Sequence, residues 1–245
     1  MLEQAREWII SARSVAVLTG AGISAESGVP TFRGAGGLWR QYRPEELATP
    51  EAFARNPRLV WEWYDWRRQI IAQARPNAGH HALVRLEQSK PQYALITQNV
   101  DGLHERAGSR NLIKLHGDIW IVRCLSCGRQ QRDERVPLPE LPPRCTCGGL
   151  LRPGVVWFGE PLPPEAWEEA ESAARSAEVL LVVGTSAVVY PAAGLVPLGK
   201  AAGARVIEVN PEQTPFSGSV DCSLRGRAGD ILPALIPSDP SVQTG

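Results

Sequence analysis

Three groups of residues in this chain have the types and spacing to do chemistry. Cys124 and Cys127 are separated by two residues and Cys145 and Cys147 by one, so four thiols fall in two close pairs. Four thiolates suffice for a closed tetrahedral zinc site, which leaves no position for water and therefore predicts a structural ion. The alternative is a cluster of free or redox-active thiols. Cys222 stands apart and reads as a core or surface thiol. The second group is Gly20-Ala21-Gly22-Ile23-Ser24-Ala25-Glu26-Ser27-Gly28, directly after the apolar run Ser14-Val15-Ala16-Val17-Leu18-Thr19. Gly20, Gly22 and Ala25 fit the G-x-G-x-x-[G/A] spacing, in which small residues let the backbone turn tightly and helix N–H groups receive a pyrophosphate. Such a turn also occurs with no ligand. The third is His116, in Leu115-His116-Gly117-Asp118, after the apolar stretch Asn111-Leu112-Ile113-Lys114. An imidazole titrates near neutrality and can serve as a general base, although a histidine taken singly can be structural. His80, His81 and His104 are expected on helices in polar surroundings, without a catalytic part.

These groups need elements to hold them. Residues 3–13 predict an amphipathic helix, followed by a strand at 14–19 and the glycine loop. Phe32-Arg33-Gly34-Ala35-Gly36-Gly37-Leu38-Trp39 reads as a mobile loop. From Pro50 to Gln73 the chain looks helical, with Trp61, Trp63, Tyr64 and Trp66 clustered in it. A helix at 78–89 precedes the strand Tyr93-Ala94-Leu95-Ile96-Thr97, which ends at Gln98-Asn99-Val100-Asp101. Residues 121–152 hold the four paired cysteines, several prolines and few large apolar residues. Such a piece cannot bury enough surface to fold alone and needs a metal. Then come a strand at Val155-Val156-Trp157-Phe158, a helix near 163–176, and the strand Val179-Leu180-Leu181-Val182-Val183, closed by Gly184-Thr185-Ser186. A helix near 191–202, the strand Val206-Ile207-Glu208-Val209 with Asn210-Pro211 after it, a helix near 229–236 and a polar tail complete the chain.

Apolar strands alternating with helices predict an α/β fold whose parallel sheet is covered on both faces. In such sheets ligands bind beyond the carboxyl ends of the strands. Residues 20–24, 98–101, 184–186 and Asn210 all fall at predicted carboxyl ends, so four strands deliver polar or glycine residues to one edge. The acidic residue that usually follows a glycine loop by about 20 positions and holds a ribose is not evident. That argues against a hydride-transfer dehydrogenase, and Asn210 could take the ribose instead.

The 245 residues predict a main domain with a smaller insertion. The formal net charge is zero, and no block of like charges suggests a nucleic-acid arm or a membrane-surface helix. Residues 121–152 lack the lysine run and aromatic series of a nucleic-acid-binding zinc ribbon. No stretch reaches the roughly 18 to 20 apolar residues of a membrane span. Residues 1–8 are charged and amphipathic, without the apolar core of a signal peptide. With the paired cysteines, this predicts a cytoplasmic protein with neither a nucleic-acid nor a membrane partner.

Together these residues resemble the sirtuins, the NAD-dependent protein lysine deacylases. The resemblance rests on Gly20-Ala21-Gly22-Ile23-Ser24, Gly28-Val29-Pro30-Thr31-Phe32-Arg33, Thr97-Gln98-Asn99-Val100-Asp101, Leu115-His116-Gly117, the four cysteines, Val156-Trp157-Phe158-Gly159-Glu160, Gly184-Thr185-Ser186 and Val209-Asn210. It runs from about residue 10 to 236. It implies a Rossmann-type doubly wound parallel sheet, made from about 1–33, 76–120 and 153–236. A small domain would comprise a helical insertion (about 34–75) and a zinc module (about 121–152), with 237–245 as a tail.

The resemblance also implies NAD, consumed as a co-substrate, one structural zinc, acylated protein lysines as partners, and a monomer. Gly20, Ala21, Gly22 and Ser24 would form the turn against the pyrophosphate, and Glu26, Phe32 and Arg33 would also bind the cofactor, with residues 32–42 ordered only when NAD is bound. Gln98, Asn99 and Asp101 would meet the nicotinamide and its ribose. Gly184, Thr185, Ser186, Asn210, Pro211, Glu212 and the backbone near Ala228 would hold the adenosine end. The acyl oxygen would attack the ribose carbon as nicotinamide leaves, and His116 would then act as general base, giving free lysine and O-acyl-ADP-ribose. Val156 and Phe158 would meet the peptide.

Within the family, Ala48-Thr49-Pro50 and Tyr64-x2-Arg67 resemble the class III branch, which removes acidic acyl groups such as succinyl. An arginine can hold a carboxylate through two parallel N–H bonds, and a tyrosine hydroxyl can add a third. Tyr64 and Arg67 are three apart on a predicted helix and so share a face, and Ala48 leaves room. Acetyl-lysine would still fit. The alternative is an amphipathic helix with Arg67 or Arg68 on its solvated face. Two rival functions share the motifs: a mono-ADP-ribosyltransferase on the same scaffold, and a non-catalytic NAD- or zinc-binding module.

Overall fold

The computed structural model describes residues 1–32, 37, 38, 41 and 43–236. In chain order the elements are α1 (Leu2–Ser11), β1 (Ser14–Thr19), α2 (Gly22–Ala25), α3 (Pro44–Leu47), α4 (Pro50–Arg55), α5 (Pro57–Gln73), α6 (Ala78–Ser89), β2 (Gln92–Thr97) and α7 (Leu103–Ala107). There follow β3 (Leu112–Lys114), β4 (Gly117–Cys124), β5 (Gln130–Arg132), β6 (Leu151–Val155), α8 (Pro164–Ser176), β7 (Val179–Val183), α9 (Leu195–Ala201), β8 (Arg205–Asn210), β9 (Cys222–Arg225) and α10 (Ala228–Leu235).

Every residue of β1 and β7 is buried, as continuous apolar strands in the middle of a sheet covered on both faces must be. Six parallel strands lie in the order β3-β2-β1-β7-β8-β9. This is the Rossmann-type doubly wound sheet that the resemblance implies. The order reverses between β1 and β7, the switch point at which ligands bind such sheets. Register puts Thr19 level with Thr97 and Val183, and Val183 level with Val209. The polar segments that follow these strands therefore leave the sheet at one height.

The second sheet is small and antiparallel, in the order β5-β4-β6. It corrects the sequence reading at one point. The strand expected at 155–158 is Leu151–Val155, and Val156 to Phe158 lie beyond its end. The helix expected from Pro50 to Gln73 is also two helices. Thr49 caps α4 by accepting the Ala52 N–H at 3.0 Å, and Asn56 caps α5 by accepting the Leu59 N–H at 3.1 Å. Pro57 sits in the first turn of α5, where its missing N–H costs nothing. The elements α3, α7, β4, β5 and β9 had no sequence counterpart. Most are too short to show a period, and β5 is exposed throughout.

Residues 121–152 do not rest on a metal alone. Trp61, Trp63, Tyr64 and Phe53 of the helical insertion share one core with Trp120, Val122, Leu151, Cys124 and Cys145 of the antiparallel sheet and its cysteine loops. A fully buried large apolar side chain contributes about 1.5–3 kcal/mol, so the insertion supplies the core the cysteine segment lacks. Polar bonds fix the register between them. The Trp61 indole donates to the Leu151 carbonyl at 2.8 Å, and Asp65 accepts the Leu138 N–H at 2.9 Å. Arg68 is fully buried, pairs with Asp133 at 3.8 Å, and donates to the carbonyls of Ile119, Asp133 and Arg135. A solvated face is thus excluded for Arg68. Among the described residues no helix is long and apolar enough to cross a membrane.

Candidate active site

A cavity of about 610 Å³ opens between the carboxyl edge of the parallel sheet and the small domain. Its floor is the turn after β1 packed against the turn after β7. The Gly20 N–H donates to the Val183 carbonyl at 3.0 Å, and the Gly22 N–H to the Gly184 carbonyl at 2.7 Å. A Cβ on Gly20 or Gly22 would stand within 2.8 Å of Gly184 or Thr185 atoms. Gly184 has a φ of +59°, and its Cβ would meet the Ile23 nitrogen at 2.5 Å. These glycines are needed first so that two loops can touch, and a smooth backbone cradle for a pyrophosphate results.

The side of the cavity lined by Gln98 and Asn99 is built on hydrogen bonds. The Gln98 amide donates to Thr185 Oγ1 at 3.0 Å, and the Asn99 amide to the Gly20 carbonyl at 3.0 Å. Ser24 is fully buried and donates to Asp101 Oδ2 at 2.8 Å, while Asp101 Oδ1 accepts the Leu103 N–H at 2.8 Å. Burial raises the Asp101 carboxyl above its ordinary value, and those two donors oppose the rise. Beneath Asn99, the Thr97 hydroxyl accepts the Asn99 N–H at 3.1 Å and the Thr19 hydroxyl at 2.8 Å. His104 Nε2 lies 3.0 Å from Thr19 Oγ1, and its ring lies 4.9 Å from that of His80. Both histidines are buried, not in the polar surroundings expected for them. Burial lowers His80 to about 4 and His104 well below its ordinary value, so both are neutral. His104 supports the Asn99 backbone through Thr19 and Thr97, while His80 Nδ1 accepts the Asn77 N–H at 3.3 Å.

His116 follows β3 and faces the cavity. Its Nδ1 lies 3.0 Å from the Gln98 carbonyl. A carbonyl only accepts, so Nδ1 carries the proton and Nε2 keeps a free lone pair. Burial lowers the His116 pKa below 6.5, with the Gln98 bond opposing. The neutral, basic form therefore prevails at neutral pH. We expect kcat/KM to be flat near pH 7 and to fall as pH drops through a midpoint below 6.5. A pH–rate profile with its acid limb centred above 6.5 would contradict this.

The helical insertion closes the other wall. Arg67 is buried, with its guanidinium carbon 4.7 Å from the ring centres of Phe32 and Trp63 and 5.5 Å from that of Tyr64. Burial lowers the Arg67 pKa, opposed by Tyr64 and Asp101. Among the described residues no acceptor hydrogen-bonds Arg67 and no carboxylate lies within 4 Å of it. Tyr64 is buried, and its hydroxyl accepts the Trp157 indole N–H at 2.9 Å. Burial raises the Tyr64 phenol above its ordinary value, so it stays protonated at neutral pH. The Ala48 carbonyl accepts the Phe158 N–H at 2.9 Å, the His116 carbonyl accepts the Val156 N–H at 2.9 Å, and Glu160 accepts the Trp157 N–H at 2.8 Å.

The four cysteine sulfurs lie within 4.8 Å of one another, with Cys124 and Cys147 3.5 Å apart and Cys127 and Cys145 3.8 Å apart. Zn–S bonds of about 2.3 Å place tetrahedral sulfurs about 3.8 Å from each other, so the set fits zinc. The Cys127 N–H pulls the Cys124 thiol down to about 6. The Gly149 N–H lowers Cys147, but the other three sulfurs push it up to about 11. Four thiols this close cannot all ionise without a cation. None of them lines the cavity, which suits a structural ion.

Residues 20–191 match the Sir2 family. The chain belongs to the Sir2 family. It is 61% identical over 220 residues to an NAD-dependent protein deacylase of Aquifex aeolicus (strain VF5), covering 89% of this chain and 92% of that one. A Sir2 homologue–NAD complex superposes with a TM-score of 0.90 at 51% identity, covering 96% of this chain and 92% of that one. A Sir2 variant with a deacetylated p53 peptide and 3′-O-acetyl-ADP-ribose does so at 0.90 and 32% identity, covering 96% of each chain.

Most of the residues singled out in this Sir2 chain line one cavity. They are Gly20, Ala21, Gly22, Glu26, Phe32, Ala48, Tyr64, Arg67, Gln98, Asn99, His116, Val156, Phe158, Gly184, Thr185, Ser186, Asn210, Pro211 and Glu212. Ser24 and Asp101 stand behind Asn99 rather than in the lining. Ala228 is buried at the start of α10, and the Glu26 carboxylate accepts the neighbouring Gly229 N–H at 2.7 Å. Arg33 lies outside the described residues, as does most of segment 32–42. Sequence reasoning missed Trp63, Tyr190 and Arg227 of the lining, and the buried His80–His104 pair. Tyr190 and Arg227 lie in segments without a chemical pattern. His80 and His104 are 24 residues apart, and only the packing of α6 on α7 joins them.

Proposed function

We propose that this protein transfers acyl groups from protein lysine side chains to the ADP-ribose part of NAD, releasing nicotinamide, and that succinyl as well as acetyl groups are substrates. NAD supplies the electrophilic ribose carbon. His116 Nε2 draws a proton from a ribose hydroxyl so that the oxygen attacks the acyl-derived carbon. Gln98 and Asn99 orient the nicotinamide end, with Ser24 and Asp101 holding Asn99 from behind. The turn at Gly20 and Gly22 receives the pyrophosphate, and Thr185, Ser186 and Asn210 take the adenosine end. The curated relative's activity supports the reaction. The same reading takes the protein as a cytoplasmic monomer, and cysteines paired for zinc rather than for disulfides support a reducing compartment.

One observation carries the acidic-acyl part: a buried arginine, ringed by Phe32, Trp63 and Tyr64, faces the cavity with no acceptor among the described residues. A buried cation is costly without an anion. An acyl group ending in a carboxylate supplies one, and the Arg67 fork and Tyr64 hydroxyl match its oxygens. The test compares kcat/KM for acetyl and succinyl forms of one peptide, on the wild type and on Arg67→Met. A charge-assisted contact contributes about 1.5–3 kcal/mol, so the succinyl value should fall roughly 10- to 150-fold while the acetyl value changes far less. Equal losses on both peptides would make Arg67 structural and remove the succinyl reading.

A further inference from the structure

We infer that Trp157 is a positioning residue for acyl selectivity: its indole N–H fixes the Tyr64 hydroxyl so that the hydroxyl proton is presented to an acidic acyl group. The inference rests on the acidic-acyl reading above. A tyrosine hydroxyl donates once and accepts twice, whereas an indole nitrogen only donates. The 2.9 Å contact from Trp157 Nε1 therefore takes up an acceptor position on Tyr64 and leaves its proton free. Among the described residues the Tyr64 hydroxyl has no second partner. Arg67, its neighbour on α5, offers donors only. Among the described residues the proton thus has no acceptor, and a ligand oxygen beside the guanidinium would supply one.

The indole is itself held from three directions. The Arg152 guanidinium stacks 3.5 Å from its ring centre, and the Phe53 ring lies 5.3 Å away on a tilted plane. Glu160 accepts the Trp157 backbone N–H at 2.8 Å and pairs with Arg152 at 2.5 and 2.9 Å. Arg152 is buried and also donates to the Val155 carbonyl at 2.9 Å. An aromatic residue needed only for bulk would not require a bonded nitrogen. Here the ring is clamped, and its single polar side-chain atom is aimed at the Tyr64 hydroxyl, which lies in the cavity wall.

Trp157→Phe keeps an aromatic ring against Arg152 and Phe53 and removes the donor. A neutral hydrogen bond contributes about 0.5–1.5 kcal/mol, so kcat/KM for the succinyl peptide should fall about 2- to 13-fold, chiefly through KM. The acetyl value should move far less. In a Tyr64→Phe background the same substitution should cost the succinyl reaction almost nothing further, because the hydroxyl it orients is gone. Equal losses on both peptides, or the same succinyl loss with and without the Tyr64 hydroxyl, would overturn the inference. If wild-type protein did not desuccinylate at all, the acidic-acyl reading would fall and this inference with it. If desuccinylation is Arg67-dependent and the double-mutant cycle is additive, only the role of Trp157 falls.

Discussion

Replacing His116 by alanine should lower kcat/KM about 100- to 10,000-fold on acetyl and succinyl peptides alike. The loss should be uniform because the base acts on the ribose, which is the same whichever acyl group is removed. His116 is placed for that part by one contact, from Nδ1 to the Gln98 carbonyl at 3.0 Å, which leaves Nε2 as the free basic atom. The substitution removes no residue of the glycine turns or of the Asn210 end of the cavity. NAD affinity should therefore change only a few-fold, and calorimetric titration of NAD separates a lost base from a lost fold. A His116→Ala protein that binds NAD and keeps full deacylase activity would sink the assignment.

Withdrawing the zinc should destabilise the small domain. Structural zinc binds with about 10–16 kcal/mol in peptide-sized modules. Here the ion would be held by Cys124, Cys127, Cys145 and Cys147, and Cys124 and Cys145 also belong to the core shared with Trp61 and Tyr64. Loosening that loop loosens the wall that carries Arg67. Even about 3 kcal/mol lost on Cys147→Ala would lower Tm by about 6–12 °C for a chain of this size. Metal analysis should find one equivalent of zinc in the wild type and far less in the variant, with deacylase activity falling in step. A metal-free preparation with wild-type Tm and activity would refute this.

Much of the site was legible because its chemistry is local in the chain. The glycine turn, Gln98 to Asp101, His116 and Gly184 to Ser186 each occupy a few consecutive residues after an apolar run. A parallel sheet delivers all such segments to one edge. The cysteine pairs were legible for the same reason, since metal-ligand spacing is short-range. Tyr64 and Arg67 were singled out only through the resemblance to the class III branch, since helical spacing puts residues three apart on one face but does not pick out this pair.

What failed in the sequence was whatever depends on two distant segments meeting. The break at Asn56 went unread because Trp61, Trp63 and Tyr64 continue the apolar pattern past it. The strand at Val156 was displaced because antiparallel pairing with β4 ends at Val155. His80 and His104 looked like solvated helix residues, yet the packing of α6 and α7 buries both and ties His104 to Thr19. By itself, then, the sequence determined the α/β class, the sheet edge at which the polar segments gather and the four close cysteines, all set by short-range pattern and strand direction, while the part proposed for His116 came from the family resemblance. Only the tertiary structure decided that Arg67 is a buried cation among aromatic rings with no hydrogen-bond acceptor among the described residues, that Trp157 holds Tyr64, and that helices and zinc module share one core. Burial and hydrogen-bond partnership are properties of what packs across from a residue, and no spacing along one segment encodes the opposing surface.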